Sequence, residues 1–239
     1  MKSEWWKRTQ IVLILALVVA AVRVGMIYYE RHEPSPEAKK AQPRTDYNVT
    51  QDDYVTRNKV YAYDLKSAQI LRGKPVWVRL GNGLACYPYS AAARRVDFKK
   101  SSGMLAPLEK LEVKDVVLQP QAGSSGEQVM MVFSRPAMSG LYATRIGTKS
   151  SGSFNFTVDN LFFIDDPHEL YKHWPADTWS AVDNHEVKLG MSELQASFAL
   201  GVTGHADAGA YGNRTMEYAN NGKPVTVTFA QNRIVNISK

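Results

Sequence analysis

Residues 187–201 read Val-Lys-Leu-Gly-Met-Ser-Glu-Leu-Gln-Ala-Ser-Phe-Ala-Leu-Gly. Ser192 followed three residues later by Gln195 is a capping-box pattern: the hydroxyl can accept from the first free helical N–H groups while the glutamine side chain reaches back. Met191, Leu194 and Phe198 then fall on one face, and Gly201 after Leu200 is a stop signal. The stretch predicts a short helix that begins at Ser192, packs through one stripe and ends at Gly201. Capping and packing account for these side chains without any chemistry.

Working outward, residues 205–212 form a Gly/Ala-rich stretch read as a loop. Strand patterns follow at 215–218, 225–229 and 233–237, separated by Asn220-Asn221-Gly222 and Gln231-Asn232. Upstream, Pro175 can open a helix in which Trp179 and Val182 share a face. Two helices and a three-stranded meander are thus expected over 172–239.

Gly190-Met191-Ser192 with Gln195, Leu200-Gly201, Tyr218, Val227-Thr228-Phe229 and Asn232–Val235 resemble the SmpA/OmlA type of domain. That family includes the small lipoprotein subunit of the outer-membrane β-barrel assembly machinery, also described as BamE-like. The resemblance covers residues 179–239 and implies an ααβββ layer fold in a bacterial envelope, used for contact with protein or lipid rather than catalysis. Two departures stand out: the chain lacks a lipid-acceptor cysteine, and Val202-Thr203 replaces the proline that often follows Leu-Gly.

Between residues 47 and 171 the pattern is β. Apolar or alternating runs at 76–80, 84–89, 113–118, 128–133, 141–146, 154–158 and 161–164 are punctuated by Gly/Ser turns. Many short strands of this kind predict a small barrel or sandwich. Gly73 to Ser90, GKPVWVRLGNGLACYPYS, loosely resembles the early strands of bacterial SH3-like domains, a likeness that implies binding of cell-wall peptides or proteins.

Residues 11–29 are nineteen residues, broken by Arg23 alone, with Trp5 and Trp6 before them and Tyr28 and Tyr29 within their end. As a helix they would rise roughly 28 Å, near the hydrocarbon thickness, with aromatic residues at both interfaces. The expectation is an uncleaved transmembrane anchor; the competing reading is a cleaved signal peptide with Val19-Ala20-Ala21 at the cut. Residues 33–45 carry three prolines and hardly any apolar side chains, the composition of a stalk. The expected organisation is α+β: residues 1–32 tail and transmembrane helix, 33–46 stalk, 47–171 SH3-like barrel or sandwich, 172–239 ααβββ module.

Of the 239 residues, 44% are hydrophobic and 22% charged, ordinary for a folded chain. The formal charge of +6 is concentrated around the apolar segment, since 21 of 29 Lys/Arg but 19 of 23 Asp/Glu fall after residue 45. The balance argues against nucleic acid as a partner and for interface charge. Cys86, the single cysteine, excludes an intrachain disulfide and a cysteine-based metal site. It reads as a small buried hydrophobe rather than a nucleophile.

Asp165-Asp166-Pro167-His168 puts carboxylates beside an imidazole but reads as a structural corner, because adjacent side chains diverge and Asp-Pro opens turns and helices. The spacing of His168, His173 and His185 matches no common zinc pattern. Arg94, Arg95, Lys99 and Lys100 form a basic cluster read as a solvated face, with an acidic partner or lipid headgroup as the alternative. No catalytic, cofactor-binding or metal-ligating residue is assigned. The expectation is a non-enzymatic inner-membrane protein, single-pass, its bulk in the periplasm, binding or scaffolding an envelope protein, peptidoglycan or lipid. Alternatives are a secreted enzyme inhibitor, a cell-wall peptide binder or, through Asp165, Asp166 and His168, a hydrolase.

Overall fold

Long runs in which apolar side chains alternate or crowd together make the central sheet. The computed structural model describes Trp6 and residues 16–29, 49–79, 81–121, 126–136, 138–201 and 203–239. The chain divides into two units, Met1–Val49 and Thr50–Lys239.

In the first unit, residues 16–29 form helix α1. The transmembrane helix expected over 11–29 is not found. The described part of the helix, residues 16–29, carries Arg23 among its apolar residues. No helix among the described residues is long and apolar enough to cross a membrane. Residues 11–15 of that expected span, and the stalk expected over 33–46, lie outside the described residues.

The second unit opens with an arm, residues 50–64, that leads into the one-turn helix α2 (Leu65–Ala68). An eight-stranded antiparallel sheet follows. Its strands are β1 (Pro75–Val78), β2 (Tyr87–Ser90), β3 (Arg95–Val96), β4 (Lys110–Pro120), β5 (Glu127–Arg135), β6 (Met138–Ser150), β7 (Ser153–Phe156) and β8 (Phe162–Phe163). Their order is β3-β2-β6-β5-β4-β1-β8, with β7 paired to β6. The sheet is a half-barrel and not a closed SH3-like barrel or a sandwich. Register shifts between Val113 and Asp115, Val129 and Met130, and Phe133 and Arg135 curl the three long strands.

Val129-Met130-Met131-Val132-Phe133 is a continuous apolar run because both faces of β5 are covered. Val129, Met131 and Phe133 join Val76, Val78, Leu111 and Ile146 on one side. Met130 and Val132 join Val96, Val117 and Ala143 on the other. Tyr87, Tyr89 and Leu141 pack against that side, and buried Gln119 fastens the segment carrying Val96, donating to the Arg94 carbonyl and accepting from the Val96 N–H.

After β8 come α4 (Pro167–Leu170, with α3 at Val158–Leu161), α5 (Ala176–Asp183) and α6 (Glu193–Leu200). Ser192 Oγ accepts from Gln195 N–H, and Gln195 Oε1 accepts from Ser192 N–H, so the capping box of α6 is complete. The second sheet has the order β12-β11-β10-β9, from β9 (Thr203–Ala206), β10 (Thr215–Tyr218), β11 (Val225–Ala230) and β12 (Arg233–Ser238). It therefore has four strands where three were expected. β9 lies partly in the stretch read as loop: residues 203–206 pair with β10, whose backbone groups supply the strand that their own composition does not suggest.

The two sheets share a core. Trp77 and Phe163 from the first pack with Tyr171, Trp174, Trp179, Phe198, Tyr218 and Val227. Gly201 fixes this joint, with φ +82° and a position where a Cβ would lie 2.1 Å from the Gly81 carbonyl oxygen. The glycine that ends α6 is thus demanded both by its backbone angle and by the approach of the first sheet.

Candidate functional site

The arm is held to the body by carboxylates. Asp52 accepts from Trp174 Nε1 at 2.6 Å and lies 2.6 Å from His173 Nε2. Asp165 accepts from the backbone and side-chain amides of Asn58 at 2.9 and 2.8 Å. Asp159 accepts from Val60 N–H at 2.7 Å. The arm lacks a strand ladder over 55–63, so these side-chain oxygens replace sheet partners for some of its N–H groups.

Beside the arm runs a groove of about 800 Å³. Tyr61, Tyr63 and Ile70 line it and are 84%, 76% and 59% exposed. Lys59, Lys66 and Lys74 line it too, and none of the three has an ion-pair partner among the described residues. The acidic groups at the groove are engaged elsewhere: Asp64 caps α2 by accepting from Ser67 N–H, and Asp165 holds Asn58. Those contacts hold Asp64 below the ordinary carboxylate value, the Ser67 hydrogen bonds being the main cause. The groove thus offers rings, an aliphatic side chain and uncommitted ammonium groups.

The residues singled out in the sequence lie elsewhere or are occupied. Asp166 caps α4 through His168 N–H at 2.9 Å. The His168 ring stacks on Trp179 at 4.1 Å, its Nδ1 3.3 Å from Asp166 and its Nε2 3.1 Å from Asp183. Both ring nitrogens face carboxylates, and no side chain of nucleophilic type is brought to them by any hydrogen bond of the described residues. Asp165 points its oxygens at Asn58 and does not join this pair. His185 Nδ1 lies 3.2 Å from the Ala199 carbonyl, so the three histidines have separate partners. Among the described residues, no group of three His, Cys, Asp or Glu side chains could hold a metal ion.

Cys86 is fully buried, its Sγ 3.5 and 3.6 Å from the carbonyls of Gly103 and Ser102. Arg135 approaches the sulfur at 3.6 Å but pairs with both oxygens of Glu109 at 2.6 and 3.0 Å. Burial pushes the thiol pKa up, with Arg135 opposing and Glu109 adding to the rise. Such a thiol is protonated at neutral pH and a poor nucleophile. Arg94, Arg95, Lys99 and Lys100 are all exposed, on either side of the buried Val96.

Nothing in the sequence reading singled out the groove. Its one local trace is the interleaving of rings and cations in Tyr54-Val-Thr-Arg-Asn-Lys-Val-Tyr-Ala-Tyr63, which lacks the alternation of a half-buried strand. No family model, no curated protein and no solved structure matches this chain.

Proposed function

We propose that residues 50–239 act as a non-catalytic binding module of the bacterial envelope, which holds an acidic segment of a partner protein in the groove beside the arm. One observation carries this reading: Tyr61, Tyr63 and Ile70 are exposed together beside Lys59, Lys66 and Lys74, while the local carboxylates are spent on internal bonds. Exposed tyrosines bring contact area at low conformational cost, and uncommitted lysines favour a negatively charged partner. The envelope setting is supported by the residues that resemble SmpA/OmlA, whose region carries two helices followed by antiparallel strands.

The test is binding of a fluorescent Glu-rich peptide, read by anisotropy. Binding that weakens with salt and is lost in Tyr61→Ala/Tyr63→Ala and in Lys59→Glu/Lys66→Glu is expected. Equal binding by those variants would overturn the assignment of the groove. A second reading, a cell-wall peptide binder, draws on the same lysines because cell-wall stem peptides carry carboxylates. Sedimentation with purified peptidoglycan in preference to the acidic peptide would favour it.

A further inference from the structure

Two arginines that do not line the groove share one aromatic ring. Arg57 lies on the arm between the Asp52 and Asn58 attachments, and Arg79 directly follows β1. Their guanidinium carbons sit 5.6 and 5.9 Å from the centre of the Phe163 ring. Both are half-buried. Arg79 Nη1 donates to the Asp159 carbonyl at 3.3 Å. Among the described residues neither guanidinium has a carboxylate within ion-pair distance.

The acids that could have neutralised them are used otherwise. Asp52 is held by Trp174 and His173, Asp159 accepts from Val60 N–H, and Asp165 accepts twice from Asn58. The ring of Phe163 attracts each cation but cannot cancel its charge. Their shared position at one ring puts the two guanidiniums within electrostatic reach of each other, and burial, and after it repulsion from Arg57, lowers the pKa of Arg79. Burial raises the pKa of the Tyr171 hydroxyl, which both guanidiniums oppose and the charge of Asp52 adds to. Half-buried cations that repel one another without a counter-charge are unfavourable, and a bound anion relieves both terms. The exposed Arg94–Lys100 cluster creates no such demand, because water solvates its charges.

We propose that Arg57 and Arg79, backed by Phe163, form a binding site for an oxyanion, a carboxylate or a phosphate group. The planar fork of a guanidinium matches both through paired N–H donors. The site does not depend on what occupies the groove, so its failure would leave that reading untouched.

The test uses the full chain titrated with inorganic phosphate and, separately, acetate, against chloride at matched ionic strength. The readouts are the thermal midpoint and the side-chain Nε–Hε resonances of arginine. Saturable shifts of the Arg57 and Arg79 resonances are expected, with a raised midpoint. Arg57→Gln should weaken binding by about tenfold or more, the loss of one charge-assisted contact, whereas Arg94→Gln should not. Stronger binding of phosphate would mark a phosphorylated ligand, and stronger binding of acetate a carboxylate; either supports the site. An equal response to chloride, or unchanged binding by a folded Arg57→Gln, would overturn it.

Discussion

Phe163, on the short edge strand β8, and Phe198, on helix α6, meet with ring centroids 5.3 Å apart at an angle of 58°. The pair ties the first sheet to the helices of the second through one apolar contact. Tyr171 and Trp174 approach the same Phe198 ring at 5.1 and 5.2 Å, so the joint is an aromatic cluster. Residues from both the 47–171 and the 172–239 stretches thus share one core.

Truncating either ring should therefore destabilise the whole unit. Phe198→Ala is expected to cost about 3–5 kcal/mol by urea denaturation, because a buried phenyl is lost and a cavity is left. A double-mutant cycle with Phe163→Ala should give a coupling of about 0.5–1.5 kcal/mol. Tryptophan fluorescence, to which the buried Trp77, Trp174 and Trp179 contribute beside Trp5 and Trp6, and far-ultraviolet circular dichroism should show coincident transitions; two separate transitions would refute the shared core.

Gly201→Ala should be more harmful than Gly190→Ala. Both glycines have positive φ, +82° and +85°, but a Cβ at 201 meets the Gly81 carbonyl whereas one at 190 meets nothing within 4 Å. Gly190→Ala should cost about 1 kcal/mol from backbone strain alone, and Gly201→Ala about 3 kcal/mol or more. Chemical denaturation of the two variants checks the difference.

The pair of buried Glu193 and half-buried Arg214 offers a third test. Glu193, on the first turn of α6, accepts from Gly212 N–H at 2.8 Å and from two nitrogens of Arg214. Arg214→Leu leaves a buried carboxylate with too few partners and should cost about 3 kcal/mol. Glu193→Leu/Arg214→Leu should recover part of that loss, measured by the same unfolding curve. A double variant worse than the single would contradict the account.

Cys86 predicts a pH effect of defined sign. Its thiol pKa is raised by burial, so the folded state holds the proton more tightly than the unfolded chain. The resulting stability is full below the ordinary thiol value and declines as pH rises through it towards the folded value. Native protein should resist a thiol reagent at pH 8 and react fully once unfolded, and Cys86→Ala should remove the decline. Rapid native labelling would show the thiol to be accessible.

Asp207 works in the opposite sense. Hydrogen bonds from Thr215 N–H and Gly209 N–H lower its pKa. Its contribution is present above the ordinary carboxylate value and lost as pH falls through the folded one. Carbon-detected NMR titration should place its midpoint below 3.8, and a midpoint at or above that value would refute the bonding.

Local rules read from the chain reached the elements whose signals are contained within a few residues. The capping box of Ser192 and Gln195, the stop at Gly201 and strand β10 at Thr215–Tyr218 depend on short-range hydrogen bonding and alternation, which the sequence carries directly. The tight turn at Ser151-Gly152 is equally local, since both residues take positive φ between paired strands. The span expected over 11–29 rested on hydropathy alone, and no helix among the described residues is long and apolar enough to cross a membrane.

Long-range placement decided the rest. β9 is a strand because β10 lies beside it, not because Thr203–Ala206 has a strand's composition. The half-barrel stays open because its edges end at β3 and β8, and β8 instead carries Phe163 into the second core. Neither the groove nor the arginine pair has a motif, because their members come from the arm, α2, the end of β1 and the segment after β8, which only folding brings together. By itself the sequence determined caps, turns and which stretches bury apolar side chains. The tertiary structure alone decided which charges find partners, since pairing depends on distances between segments some hundred residues apart in the chain.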